Sequence, residues 1–179
     1  MVFPDVAVAA VAAEADAVAA VAEAKKLYDP PSWIKKLPVL GVGIGFRKSL
    51  KKEILSNRKA IDFLEIIADQ YIEPSLFQRI ELRKLKRQFP LIPHSLGLSL
   101  ASADALDNAY LKELASIVQT VQPPWWSDHI SMTRGGLLDI GHLAPVPFTH
   151  NFVRLIQDNI REVKKIIPVP FIVENISYT

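Results

Sequence analysis

Three residues in this sequence are of types that together hold a metal ion: His94, His129 and Glu174. Two imidazoles and one carboxylate suit non-haem iron, and equally manganese or zinc. They fall at matched places, near the ends of the segments "LIPH", "WWSDH" and "FIVE". A lone histidine in such a place is ordinarily a hydrogen-bonded core residue. Three ligand-capable groups at matched positions point instead to a shared site. Glu65 in "DFLEII" and Asp128 beside His129 are further ligands or groups that orient a histidine. For Glu65 the orienting or structural role is favoured. His142, in "LLDIGHLAPVPFT", falls in a long loop where ligation and lid work are both open. Asn175 follows Glu174 and offers an amide at the same strand end, and His150 opens a helix and is given no role.

Other chemistries are excluded or poorly matched. With no cysteine, the chain has no disulfide, thiolate site or cysteine nucleophile. "GVGIG" lacks the third glycine of a dinucleotide loop, since Phe46 stands there, and close packing of a first strand accounts for it better. No nucleophile elbow or Ser-His-Asp order is present. Trp125 and Trp126 could stack a substrate, but a core role for at least one is the stronger expectation.

The elements that would position these residues alternate. "PVLGVGIGF", "DFLEII", "FPLIPHSLGLS", "PPWWSDHIS" and "VPFIVENIS" read as strands. Between them lie helical "KSLKKEILSNRKA", "PSLFQRIELRKLKRQ", "ALDNAYLKELASIVQTV" and "THNFVRLIQDNIREVKKI", with a Gly/Pro-rich excursion before the last. Apolar strands alternating with helices predict a parallel sheet covered by helices. Pro90, Pro93, Pro123, Pro124, Pro168 and Pro170 are expected at or near strand starts, where a missing N–H does little harm. In such a sheet Glu65, His94, Asp128, His129, Glu174 and Asn175 gather at the carboxyl edge, where α/β folds place ligands. The fold class expected is an α/β, (β/α)8 TIM-barrel type that is incomplete here: about four βα units plus a fifth strand. A complete barrel takes about 250 residues, so a chain of 179 residues is expected to stop mid-fold.

Residues 1–31, "MVFPDVAVAAVAAEADAVAAVAEAKKLYDPP", read as an Ala/Val-rich helix and linker, and 32–179 as the barrel portion. Glu14, Asp16 and Glu23 interrupt the apolar run and no basic segment precedes it, so it is a poor signal peptide or membrane span. Hydrophobic residues make up 50% and charged residues 22%, with a net charge of +2. That balance gives no sign of a nucleic-acid or membrane partner, and the basic "RIELRKLKRQFP" reads as a solvated helix face. A cytoplasmic protein is expected. A half-barrel would also leave two sheet edges bare, which invites homo-oligomers.

From Leu40 onward, "GVGIGFR", "IDFLEIIADQY", "FPLIPHSLGLSLASADALD", "WWSDHIS", "LAPVPFT" and "FIVENIS" occur in order. The chain here resembles the multinuclear non-haem iron-dependent oxidases, the methanobactin-biosynthesis MbnB-like family. The resemblance implies a xylose isomerase-like (β/α)8 barrel holding two or three Fe ions. It also implies oxygen-dependent modification of residues, often cysteines, in ribosomally made peptides, commonly with a small partner protein that delivers the peptide. By motif, His94, His129 and Glu174 fall on ligand positions of the family, and Asp128 and Asn175 on neighbouring motif residues. Two features depart from the pattern: Gly141-His142 stands where the family usually has a His-Asp-like pair, and the family's later ligands come from strands beyond the fifth. The rival expectations are another divalent-metal barrel of isomerase or endonuclease type, or an inactive fragment acting as a scaffold.

Overall fold

The computed structural model describes residues 34–136, 138–147 and 149–176. The expected Ala-rich helix over 1–31 lies outside the described residues. From Pro38 onward the chain runs through strand β1 (Gly43–Gly45), helix α1 (Lys51–Ser56), β2 (Phe63–Ile67) and α2 (Leu76–Lys86). It continues through β3 (Leu91–His94), α3 (Asn108–Val121), β4 (Trp126–Ile130), β5 (Met132–Gly135), β6 (Leu138–Ala144), α4 (His150–Ile166) and β7 (Phe171–Asn175).

Five strands make one sheet in the order β1-β2-β3-β4-β7, with every pair parallel. The order never reverses, as it would in a doubly wound sheet. A singly wound parallel sheet with a helical crossover between successive strands is a sector of a (β/α) barrel. Leu64, Ile66, Leu91 and Trp126 share a hydrophobic core with α3 residues Leu111, Leu114, Ile117, Val118 and Val121 and with Val163 of α4. Trp126 stacks on Phe171 at 4.1 Å between ring centroids, so it is a core residue. Because successive strand residues point to opposite faces, these core residues leave Glu65, Ile92, His94, Ser127, His129 and Glu174 on the other face.

The helices start where capping chemistry allows. Ser75 and Gln78 form a reciprocal capping box at α2, and Asp107 accepts from the backbone N–H groups of Ala109 and Tyr110 at α3. Thr149 caps α4 through the N–H of Phe152. Each cap satisfies donors that the first helical turn leaves free.

Three expectations need correction. The helix expected over "KSLKKEILSNRKA" is reduced to α1, flanked by 3-10 turns at Lys48–Leu50 and Arg58–Ala60. Ser56 and Asn57 donate side-chain hydrogen bonds to the carbonyls of Lys52 and Glu53, which competes with continued helix. Pro93 lies inside β3 rather than at its start. Ser95 N–H donates to Ser127 O at 2.8 Å, so the odd-numbered residues of β3 turn their amides toward β4. The donor that Pro93 lacks is therefore missing from the β3–β4 side, where His94↔Ser127 is the register pair. The Gly/Pro-rich excursion is an antiparallel hairpin, β5–β6, not a plain loop. Its alternation is hidden by the glycines, and Gly136 takes φ +59 at the turn, a conformation that suits glycine.

Leu114 is fully buried on α3, whereas Phe77 on α2 is 83% exposed. Leu114→Ala is expected to lower unfolding free energy by about 2–5 kcal/mol, and Phe77→Ala to change it by less than about 0.5 kcal/mol. Urea denaturation of both variants beside the unmodified chain checks the contrast.

Candidate metal centre

Strand register brings the candidate ligands together. His129 on β4 stands directly across from Glu174 on β7, and His94 on β3 stands across from Ser127, two residues before His129. Adjacent strands lie about 4.8 Å apart, so side chains from three neighbouring strand ends meet. One ligand atom from each of His94, His129 and Glu174 lies within 4.8 Å of the others. The two imidazoles face each other through Nε2 atoms 3.1 Å apart, with rings close to perpendicular at 87°.

That spacing suits a shared ion. Metal–nitrogen bonds run about 2.0–2.1 Å, so two nitrogens bound at roughly a right angle to one ion are about 3 Å apart. His94 is buried, and burial lowers its pKa, helped by His129 and opposed by Glu65 and Glu174. The neutral imidazole is the form that binds a cation. Its Nδ1 lies 2.9 Å from Ser127 Oγ, while the buried Nδ1 of His129 has no hydrogen-bond partner among the described residues.

The remaining candidates separate by strand parity. Glu65 lies half-buried on the same face as His94, near enough to oppose the burial effect on that ring, but outside the three-residue cluster. Asp128 points to the opposite face and is fully buried. Its Oδ2 accepts from Ser95 Oγ at 2.6 Å and Leu98 N at 3.4 Å, and its Oδ1 from His129 N at 2.6 Å. These bonds tie the segment after β3 to β4, so the carboxylate steadies both histidine-bearing strands. Asn175 also falls on the opposite face from Glu174, across from Ile130. His142 lies on β6, exposed and apart from the cluster.

Sequence reading passed over several residues that matter here. Ser127 was legible as the hydroxyl two places before His129, hence on its face. Asp69, just past β2, accepts from Leu96 N–H and Tyr110 O–H, and Tyr110 Oη in turn accepts from Gly97 N–H. Burial and the nearby Asp69 push the Tyr110 phenol far up, so it stays protonated and donating. Ser99, at φ +57, accepts from Thr133 N–H, and Ser102 Oγ donates to Arg134 O. Together they fasten the β3–α3 segment to the hairpin. Between these two pieces lies a cleft of about 600 Å3, lined by Asp69, Gly97, Asp107, Arg134, Asp139 and His142 among others. Arg134 lends Nη1 to Gly97 O at 3.4 Å, and its buried Nη2 has no acceptor among the described residues.

Fold and site together define a sector of a (β/α) barrel with a His–His–Glu candidate metal cluster at its carboxyl edge. Residues 41–179 match the family model described as RiPP precursor modification enzyme MbnB/TglH/ChrH, and the chain belongs to that family. A UPF0276 protein of Acaryochloris marina is 31% identical over 139 residues, covering 78% of this chain and 50% of that protein. A UPF0276 protein of Streptomyces avermitilis is 32% identical over 151 residues, covering 80% of this chain and 31% of that protein. The chain thus spans about half, or less, of the length of these curated relatives. Among solved structures, D-psicose 3-epimerase from Clostridium cellulolyticum H10, crystallised with D-tagatose, overlaps 71% of this chain and 47% of its own. That overlap has a TM-score of 0.47 at 16% identity.

Burial raises the carboxyl of Asp128 from its ordinary 3.8 to about 7, against the pull of its Ser95 and backbone donors. In the metal-free protein the folded state therefore keeps a proton that the unfolded chain releases. Stability from this group is fully present below about pH 4 and is lost as pH rises through about 7. Asp128→Asn, which cannot ionise, is expected to flatten that decline, as measured by urea midpoints at pH 5 and pH 8.

Proposed function

We propose that His94, His129 and Glu174 hold iron and that the chain carries part of the active site of an oxygen-dependent oxidase acting on ribosomally made peptides. The observation that carries this reading is the convergence of two imidazole Nε2 atoms and one carboxylate at neighbouring strand ends, in a member of a family described as modifying peptide precursors. Iron, when bound, would supply oxygen activation and single-electron redox chemistry that no side chain here offers.

The chain's own residues have separable tasks. His94, kept neutral by burial, presents Nε2 to the ion. Glu174 contributes an anionic oxygen from the exposed side of the cluster. Glu65 adds negative charge beside the histidines and favours a cation between them. Asp128 and Asp69 hold the strand ends and the following segment in place. The cleft between that segment and the hairpin gives a peptide room to lie. A small partner protein that delivers the peptide, a cytoplasmic setting and self-association through the edges of β1 and β7 belong to the same reading. Among the described residues, no helix is long and apolar enough to cross a membrane.

Elemental analysis of protein prepared anaerobically with ferrous iron tests the proposal. Iron retained near stoichiometrically by the unmodified chain and lost from His94→Ala/His129→Ala is the expected result. Retention of manganese or zinc in preference to iron, without oxygen uptake, would move the assignment to another class of metal-dependent barrel. Equal, negligible metal in both proteins would sink the metal assignment altogether.

A further inference from the structure

The two histidines of the cluster are held differently. Ser127 lies across from His94 in the β3–β4 register, on the face shared with His129, and is itself buried. Its Oγ is 2.9 Å from His94 Nδ1. His129 Nδ1 is equally sequestered and meets no hydrogen-bond partner among the described residues.

This asymmetry matters because the Nε2 atoms are only 3.1 Å apart. Two neutral imidazoles in that contact share a single N–H···N bond, so one carries its proton on Nε2 and the other on Nδ1. A cation between them needs both Nε2 lone pairs, and each ring must then carry its proton on Nδ1. One ring, and only one, has to change tautomer when a cation enters. If His94 were the ring protonated on Nε2, His129 would bear a buried Nδ1–H with no acceptor. An orphaned buried N–H is rarer in proteins than an under-used acceptor. If instead His94 keeps its proton on Nδ1, Ser127 Oγ accepts it, and the unmatched atom of His129 is only a lone pair.

We propose that Ser127 is a positioning residue that fixes His94 in the metal-binding tautomer before any cation arrives, so that His129 is the ring that switches. This rests on the metal reading of the cluster. It assigns the two ligands unequal roles: His94 is a preset donor, and His129 is the adjustable one. An outer group bonded to a ligating histidine typically changes metal affinity by about 10–100-fold, and that is the effect expected of the hydroxyl.

The test uses Zn2+ as a diamagnetic probe with 15N-labelled imidazoles on the full chain. Without metal, His94 is expected to show its proton on Nδ1 and His129 on Nε2. With Zn2+, His94 is expected to be unchanged while the His129 proton moves to Nδ1. Ser127→Ala is expected to weaken Zn2+ binding about 10–100-fold and Ser127→Thr to restore most of it. Ser131→Ala, removing a different buried hydroxyl that has no partner among the described residues, is expected to leave affinity unchanged. Thermal midpoints of the metal-free variants separate lost folding from lost positioning. A Ser127→Ala protein that is folded and binds Zn2+ like the unmodified chain overturns the proposal, as does finding that His94 is the ring that switches. Failure of the unmodified chain to bind Zn2+ would count against the metal reading, while the metal-free spectrum would still show whether Ser127 sets the His94 tautomer.

Discussion

Everything at the carboxyl edge depends on strand register. A one-residue slip of β4 against β7 would turn His129 away from Glu174 and bring Asp128 to the open face. What prevents the slip is the apolar side of the same strands. Trp126 and Phe171 stack beneath the sheet, and Trp126 shares one core with the buried residues of α3 and with Leu64, Ile66 and Leu91 of the neighbouring strands. Burying these side chains on one face fixes which residues appear on the other. The candidate metal cluster is thus a by-product of hydrophobic packing on the far side of the backbone.

Buried polar groups then refine what packing has set. Asp128 faces the core side, where an isolated carboxylate is expensive, yet it accepts from Ser95, Leu98 and the His129 amide. Asp69 does the same for Leu96 and Tyr110. Each carboxylate sits just after or within a strand and accepts from the segment that follows β3, Asp128 from Ser95 and Leu98 and Asp69 from Leu96. Irregular backbone after β3 is thereby kept rigid where helix or ladder bonds are not available. Ser99 and Ser102 extend this lashing to the β5–β6 hairpin, so the cleft wall is continuous with the frame that carries the histidines.

Much of this was legible in the sequence, for a physical reason. Near-continuous apolar runs ending in a polar residue mark parallel strands and their carboxyl ends, which located β2, β3, β4 and β7 together with His94, His129 and Glu174. Parity could have gone further: in "SDH" the middle residue must face away from its neighbours, which separates Asp128 from His129 before any coordinates are seen. The hairpin was not legible because neither of its strands has a buried face, and Gly135, Gly136 and Gly141 fall at its turn or within its strands, so no apolar stripe marks them. The position of Pro93 and the pairing of Ser127 with His94 are long-range matters. They depend on which neighbour a given amide faces, and a single chain does not display that.

The misplaced proline has a mechanical side. From Trp126↔Phe171 through Ile130↔Asn175 the β4–β7 ladder is unbroken, whereas β3 meets β4 at His94↔Ser127 with one donor missing alongside. The sheet therefore has a full ladder under His129 and Glu174, whereas between the two histidines the Ser95 N–H to Ser127 O bond and the Asp128 carboxylate stand in for the missing rung.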